Sequence, residues 1–124
     1  MNIRQYLDST YLKTAVQAGI SEDENIKIAK SFIQEAIDEK FKLIMIRPKM
    51  VAIARKMIVD AKSKVDVGTV IDFPLGKSGV DKKLEEANRA IIDGADDLDF
   101  VCNYEAFING ETDLVKEEVF KCTE

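Results

Sequence analysis

Apolar and polar positions follow two different periods along the chain. Short stretches of continuous or alternating apolar residues are typical of strands, and apolar residues spaced three or four apart are typical of helices. The two patterns follow one another four times with short connections, which predicts an α/β fold with a parallel sheet. The predicted strands lie at 6–12, 42–48, 64–74 and 96–103, and the predicted helices follow Ser21, follow Pro48, and span 80–94 and 110–124.

Capping residues indicate where the predicted helices begin and end. Ser21 begins a capping-box pattern, Pro48 suits the first turn of a helix, and Gly94 suits the position after a last helical residue. Thr112 or Asp113 is expected to cap the last helix. The residues predicted to face inward are Ile26, Ala29, Ile33, Ala36 and Ile37 in the first helix, Val51, Ala54, Ile58 and Ala61 in the second, and Leu84, Ala87, Ala90 and Ile91 in the third.

Right-handed connections bring the carboxyl ends of all four strands to one edge of the sheet, where ligands bind in such folds. Alternation along the fourth strand places Asp97 and Asp99 together on one face, with Leu98, Phe100 and Cys102 on the other. Asp8 and Thr10 likewise share a face of the first strand. The residues expected at the carboxyl edge are Thr10, Arg47, residues 72 through 76, and Asn103.

Length and charge restrict the classes of protein to consider. The 124 residues suit one small domain or part of a larger one. The net charge of −5, with lysines interleaved among acids, argues against a nucleic-acid partner. No apolar run approaches the roughly 20 residues of a membrane span, and the N-terminus lacks the apolar centre of a secretory signal. We therefore expect no membrane partner and a cytoplasmic location.

The chain contains no histidine, which excludes His-based triads and most zinc sites. Cys102 and Cys122 lack metal-ligand spacing and are expected to be free thiols that pack as small apolar residues. We therefore predict no metal and no cofactor. Asp97 and Asp99 are unusual, because a carboxylate on a buried strand is costly unless it is paired or hydrogen-bonded.

Four motifs resemble, in order and spacing, those of the deoxyribose-phosphate aldolases, a family of class I aldolases built on a (β/α)8 barrel. They are YLDSTYLK, LIMIRPKMVAIARKMI, GTVIDFPLG and AIIDGADDLDFVCN, one at each predicted strand. The resemblance implies that residues 1–124 form a single partial domain, half of a TIM (β/α)8 barrel with about four βα units. The chain ends inside a predicted helix, and we expect it to be truncated before the second half of the barrel.

The resemblance also implies an activity, the reversible Schiff-base aldol cleavage of 2-deoxy-D-ribose 5-phosphate to D-glyceraldehyde 3-phosphate and acetaldehyde. Asp99 aligns with the family's catalytic aspartate, which helps to move protons. Asp8 and Thr10 match pocket residues of the family, and Arg47 stands where many members carry Asn or Tyr. These three are expected to bind a small phosphorylated sugar. Arg47 could bind an anion, or it could pair with Asp8 or Asp72.

The chain departs from the family pattern in what it lacks. The family's Schiff-base lysine and phosphate loops belong to later strands, and their motifs do not occur here, so the chain alone is expected to be inactive. Lys13, Lys42 and Lys64 flank predicted strands and are expected on the solvated surface. Met45 replaces a cysteine that is common in the family, and Asp72 replaces a small or neutral residue.

Four parallel strands without closure leave two open edges and an uncovered inner face. We therefore expect a homodimer or a larger assembly. Two other functions fit the size, acidity and strand–helix order: a flavodoxin-like signalling or binding domain, and a half barrel that serves as a non-catalytic interaction module. A phospho-acceptor domain of the first kind would need an acidic pair after the first strand, whereas Asp96 and Asp97 open the fourth.

Overall fold

A four-stranded parallel sheet forms the centre of the structure, a computed structural model that describes residues 1–124. Its strands are β1 (Asp8–Tyr11), β2 (Leu43–Ile46), β3 (Asp66–Ile71) and β4 (Asp97–Phe100). Each strand pairs with the next one in the chain, so β1 and β4 are open edges and the sheet does not close. The predicted parallel α/β sheet is confirmed. The flavodoxin-like alternative is wrong, because that fold places its first strand between the second and the third.

Six α-helices and two short 3₁₀ helices accompany the strands. The sequence pattern did not predict the helices Ala15–Ala18 and Tyr104–Ile108, which are too short to show a helical period. None of the helices has the length and the apolar character needed to cross a lipid bilayer. The α-helices are α1 (Ala15–Ala18), α2 (Glu22–Glu39), α3 (Val51–Asp60), α4 (Val80–Asp93), α5 (Tyr104–Ile108) and α6 (Thr112–Thr123), and the 3₁₀ helices are Ile3–Tyr6 and Pro48–Met50.

The helix ends agree with the predicted caps except at α6. Ser21 Oγ accepts a hydrogen bond from the Glu24 N–H at 3.2 Å, and Glu24 Oε2 accepts one from the Ser21 N–H at 3.0 Å, which confirms the capping box. Gly94 has a φ of 108° and ends α4 as predicted. The cap of α6 is Glu111, whose side chain makes no capping bond. The predicted cap one or two residues later is wrong, because the Glu111 N–H already closes a tight turn onto Ala106 O at 2.8 Å.

The main apolar core lies between the sheet and helices α2 and α3. Ile44 and Ile46 of β2 and Val67 of β3 point to this side and are fully buried. Burying one such aliphatic side chain contributes about 1.5–3 kcal/mol. The helix residues that pack against them, all predicted to face inward, are Ala29, Ile33, Ala36, Val51, Ala54 and Ile58.

Two residues predicted to face inward do not. Ala61 follows the end of α3 and is exposed, and Ile91 of α4 is 56% exposed. The buried face of α4 centres instead on Lys83 and Ala90, which are seven residues apart. Ile91 is one residue beyond that face, or about 100° around the helix, and therefore faces solvent.

The opposite face of the sheet, here called the inner face, has no covering layer. Leu43, Met45 and Val70 pack against one another there. A Cβ on Gly68 would lie 2.8 Å from Met45 Cε and 2.9 Å from Leu43 Cδ2. The glycine therefore gives these two side chains the room to fold over β3.

We expect Ile33→Ala to lower the free energy of unfolding by about 2–5 kcal/mol, because the side chain is fully buried and its truncation leaves a cavity. Ile92→Ala is the matched control: Ile92 is 79% exposed, so the expected change is within about 0.5 kcal/mol. Urea denaturation followed by circular dichroism measures both. Equal effects of the two substitutions would contradict the assignment of the core.

Candidate functional site

The four strands end at one edge of the sheet, here called the C-terminal rim, and carboxylates lie on the inner face below it. Neighbours in register on parallel strands project to the same face, and Asp97 pairs with Gly68 and Asp99 with Val70. Both aspartates are therefore on the inner face, and the predicted alternation of β4 is confirmed. Both are exposed, and neither forms an ion pair.

Asp8 and Thr10 lie on the inner face at the opposite edge of the sheet. They pair in register with Leu43 and Met45, which point to that face. Three strand spacings, about 14 Å in all, separate β1 from β4. The structure therefore places Asp8, Thr10 and Asp99 on one face but does not bring the first two into contact with the third.

Arg47 follows β2 and connects two segments of the rim. Its Nε donates to Leu12 O at 2.6 Å, and its guanidinium carbon lies 5.0 Å from the centroid of the Phe73 ring, within reach of a cation–π interaction. Arg47 forms no ion pair with Asp8 or Asp72. The alternative in which Arg47 pairs with a carboxylate is therefore wrong, because the carbonyl of Leu12 and the ring of Phe73 hold the guanidinium.

Asp72 organises the loop after β3, here called the β3 loop (residues 72–79). Its backbone is left-handed, with a φ of 54°, and its N–H donates to Glu86 Oε2 at 3.0 Å. Its Oδ2 accepts a hydrogen bond from the Ser78 N–H at 2.9 Å. The strand predicted to continue to residue 74 ends at Ile71, because the left-handed residue turns the chain out of the sheet.

Gly76 allows the β3 loop to lie directly against the end of β4. It has a φ of 69°, and its N–H donates to Asp72 O at 2.9 Å. A Cβ at this position would lie 2.3 Å from Cys102 O and 2.9 Å from a methyl group of Val101. No side chain fits in that space, so the contact requires glycine.

A buried ion pair lies behind the rim, between α4 and α6. Lys83 is fully buried, and its Nζ lies 2.6 Å from Glu118 Oε1. The same ammonium donates to Gly76 O at 2.9 Å and to Val101 O at 2.6 Å. Glu118 Oε2 accepts a hydrogen bond from the Asn103 N–H at 2.8 Å. Every buried side-chain polar atom has a partner, and these contacts offset the cost of burying two charges.

Sequence patterns did not predict this pair, because lysine and glutamate in amphipathic helices usually face solvent. The available signal was spacing. Lys83 lies seven residues before the buried Ala90, and Glu118 lies three residues after the buried Val115, so each shares a helical face with an apolar residue. Removing one partner of such a pair costs about 3–5 kcal/mol, since the other charge remains buried.

Asp72 extends this charge network toward the β3 loop. Its Oδ2 lies 3.6 Å from Lys83 Nζ. Burial raises the pKa of Asp72, but the hydrogen bonds from Ser78 and the charge of Lys83 outweigh burial, so the pKa lies below its usual value. Burial and the charge of Glu118 raise the pKa of the Cys122 thiol against the opposing charge of Lys83. Cys122 lines a small apolar cavity, in agreement with its predicted packing role.

The strands bring carboxylates and the Thr10 hydroxyl to the inner face but no amine, since no residue of the four strands is lysine. Lys13 and Lys64 are exposed, and Lys42, also exposed, pairs with Asp66. The prediction that these three lysines lie on the surface is confirmed. The inner face can therefore exchange protons and hydrogen-bond hydroxyl groups, but it does not supply an amine nucleophile.

No family model matches the chain. Curated relatives do match, and they are named deoxyribose-phosphate aldolase. The protein from Thermococcus gammatolerans is 35% identical over 119 residues, which cover 96% of this chain and 49% of the relative. The protein from Bacillus cereus is 36% identical over 121 residues, which cover 98% of this chain and 50% of the relative. The chain thus spans about half the length of the curated relatives it matches.

Solved structures also match this chain over about half of their own length. QR15, an aldolase, matches with a TM-score of 0.80 and 32% identity, over 98% of this chain and 50% of its own. A crystal structure described as a candidate deoxyribose-phosphate aldolase from Coccidioides immitis matches with a TM-score of 0.80 and 28% identity, over 98% of this chain and 44% of its own. The family resemblance and the predicted half of a TIM (β/α)8 barrel are confirmed.

We expect Asp72→Asn to reduce the loss of stability in acid. The lowered pKa means that ionised Asp72 stabilises the fold at pH values above its unfolded pKa, and that this contribution is lost as the pH falls through the folded pKa. Asparagine does not titrate there and tolerates a left-handed backbone. The free energy of unfolding of the variant, measured by urea denaturation, should therefore fall less between about pH 6 and about pH 2.

Asp60→Asn, at an exposed carboxylate paired with Lys56, is the control and should keep the acid dependence of the unchanged chain. If the free energy of unfolding of Asp72→Asn fell in acid as much as that of the unchanged chain, the contacts of Asp72 would not depend on its charge.

Proposed function

We propose that this chain, a homologue of the deoxyribose-phosphate aldolases over about half of their length, supplies one half of an aldolase barrel. The reaction is the reversible cleavage of 2-deoxy-D-ribose 5-phosphate to D-glyceraldehyde 3-phosphate and acetaldehyde. In this proposal the chain contributes a carboxylate that moves protons and part of the substrate pocket. A further four-unit segment contributes the amine.

The observation that carries the proposal is the position of Asp99. It lies on the inner face of β4, it is exposed, and it has no cationic partner. Because β4 is an edge strand, the space beside it is open to a further strand. A lysine on that side of a completed barrel would lie near a carboxylate, with which the amine could exchange protons.

The proposed chemistry needs both groups. In a Schiff-base aldol cleavage the lysine amine adds to the C1 carbonyl carbon, and loss of water gives an imine. Loss of the C3 hydroxyl proton then breaks the C2–C3 bond and releases glyceraldehyde 3-phosphate, and the imine accepts the electron pair as an enamine. The enamine takes a proton at C2, and water hydrolyses the resulting imine to release acetaldehyde and the free amine. Each step moves a proton, and Asp99 would accept and return it. Asp8 and Thr10 would hydrogen-bond the hydroxyl groups of the substrate, and Arg47 would attract its phosphate from the rim.

We expect no stoichiometric adduct at a single lysine when the 124-residue chain is incubated with acetaldehyde and borohydride, because its inner face carries no lysine and its exposed lysines react only partially and without preference for one site. Mass spectrometry of the intact chain detects a reduced lysine adduct, and the Bacillus cereus relative, treated in parallel, serves as the positive control. A stoichiometric adduct at one lysine of this chain would contradict the proposal that the amine comes from elsewhere.

The role of Asp99 is testable in a completed barrel, made by fusing this chain to the remaining half of the Bacillus cereus relative. We expect the fusion to release acetaldehyde from 2-deoxyribose 5-phosphate, and Asp99→Asn to lower kcat by about 10²–10⁴-fold. Asp97→Asn is the matched control, since Asp97 lies on the same face two residues earlier. It should retain turnover. An unchanged kcat in Asp99→Asn would remove this residue from the mechanism.

A second proposal concerns association. The edges at β1 and β4 have no neighbouring strand and the inner face has no cover, which favours pairing with another chain. We propose a homodimer or a larger assembly, either completing the barrel or acting as a non-catalytic interaction module. Size-exclusion chromatography with light scattering at micromolar concentration should give at least twice the mass of one chain. A compact monomer would count against this proposal.

A further inference from the structure

The Lys83–Glu118 pair takes no part in the proposed chemistry, because it lies between helices α4 and α6 and not on the inner face. It nevertheless contacts the β3 loop, the end of β4 and the start of α5. We propose that this pair is a positioning device for the C-terminal rim, which sets how the β3 loop lies on the end of β4. The inference goes beyond the proposed function and does not depend on the chain being part of an aldolase.

Lys83 connects two backbone segments whose carbonyl oxygens both lie against its ammonium group. Its Nζ donates to Gly76 O of the β3 loop at 2.9 Å and to Val101 O beyond β4 at 2.6 Å. The loop also approaches Cys102 O so closely that no Cβ fits at Gly76. Buried carbonyl oxygens carry partial negative charge and are costly without a donor. The single nitrogen of the Lys83 ammonium group donates one hydrogen bond to each segment.

Glu118 extends this arrangement to the next helix. One carboxylate oxygen accepts from Lys83, and the other accepts from the Asn103 N–H at 2.8 Å. Asn103 Oδ1 in turn accepts from the Ala106 N–H at 3.1 Å and caps α5. The pair therefore holds the β3 loop, the end of β4 and the first turn of α5 in one hydrogen-bonded unit.

The free energy of unfolding alone does not explain such a pair, because a protein with apolar residues of similar volume in the same place is often equally stable. An apolar pair would fill the space but would donate no hydrogen bond to Gly76 or Val101. The β3 loop would then be free to move relative to β4. Rim residues would move with these segments, since Phe73 lies on the loop and Asn103 follows β4.

The test separates positioning from stability with the double variant Lys83→Met and Glu118→Leu. Amide hydrogen exchange is measured by NMR at Gly76 and Val101, whose N–H groups donate to Asp72 O and Ile71 O and to neither substituted side chain. We expect exchange at both amides to accelerate at least about tenfold, relative to the buried helical Ala54 as an internal reference. The matched control is Lys121→Met with Glu117→Leu, an exposed pair on α6, which should change neither ratio.

Exchange at Gly76 and Val101 within about twofold of the unchanged chain would overturn the proposal. It would show that the pair only fills space. A second measurement on the unchanged chain decides the question if the double variant does not fold. The Lys83 ammonium protons should then exchange slowly enough to be observed and should show contacts to the α protons of Gly76 and Val101. A rapidly exchanging ammonium without these contacts would equally overturn the proposal.

Discussion

A parallel sheet has two faces that need cover, and this chain covers one of them. Helices α2 and α3 bury Ile44 and Ile46, so the helix side is a closed apolar core. The inner face holds only a small apolar cluster around Met45, and its edges carry aspartates instead of aliphatic residues. This one-sided cover explains why the carboxylates of the inner face are exposed.

Most of the fold could be predicted from the sequence, because periodicity is a local property. The four strand–helix units, the capping box at Ser21 and the face that carries Asp99 all follow from spacings of a few residues. Element ends were less accurate. The third strand stops at Ile71 because Asp72 adopts a left-handed backbone, which its hydrogen bonds to Glu86 and Ser78 hold in place. Ser78 lies in the same loop and Glu86 in the following helix, and neither contact follows from a strand or helix period.

The candidate site also combines residues that a sequence pattern predicts with residues that only the tertiary structure shows. The motif singles out Asp99 and alternation gives its face, but the role proposed for it depends on an amine that the inner face does not carry. Lys83 and Glu118 have the local pattern of solvated helix residues, and only packing of α4 against α6 shows that they are buried together. For Arg47 the sequence left open an anion or a carboxylate as its partner, and in the structure it contacts a carbonyl group and an aromatic ring. In both cases tertiary contacts decided the outcome.

The order of the strands has a consequence for how the molecule assembles. Because every strand pairs with its immediate successor, each new βα unit finds its docking surface already made by the unit before it. Each pairing nevertheless closes a long loop, from Leu43 to Asp66 or from Asp8 to Leu43, and strand pairing over such distances in a parallel sheet is slow. Assembly of this topology is therefore sequential, with each unit able to dock only after the whole unit before it has been synthesised.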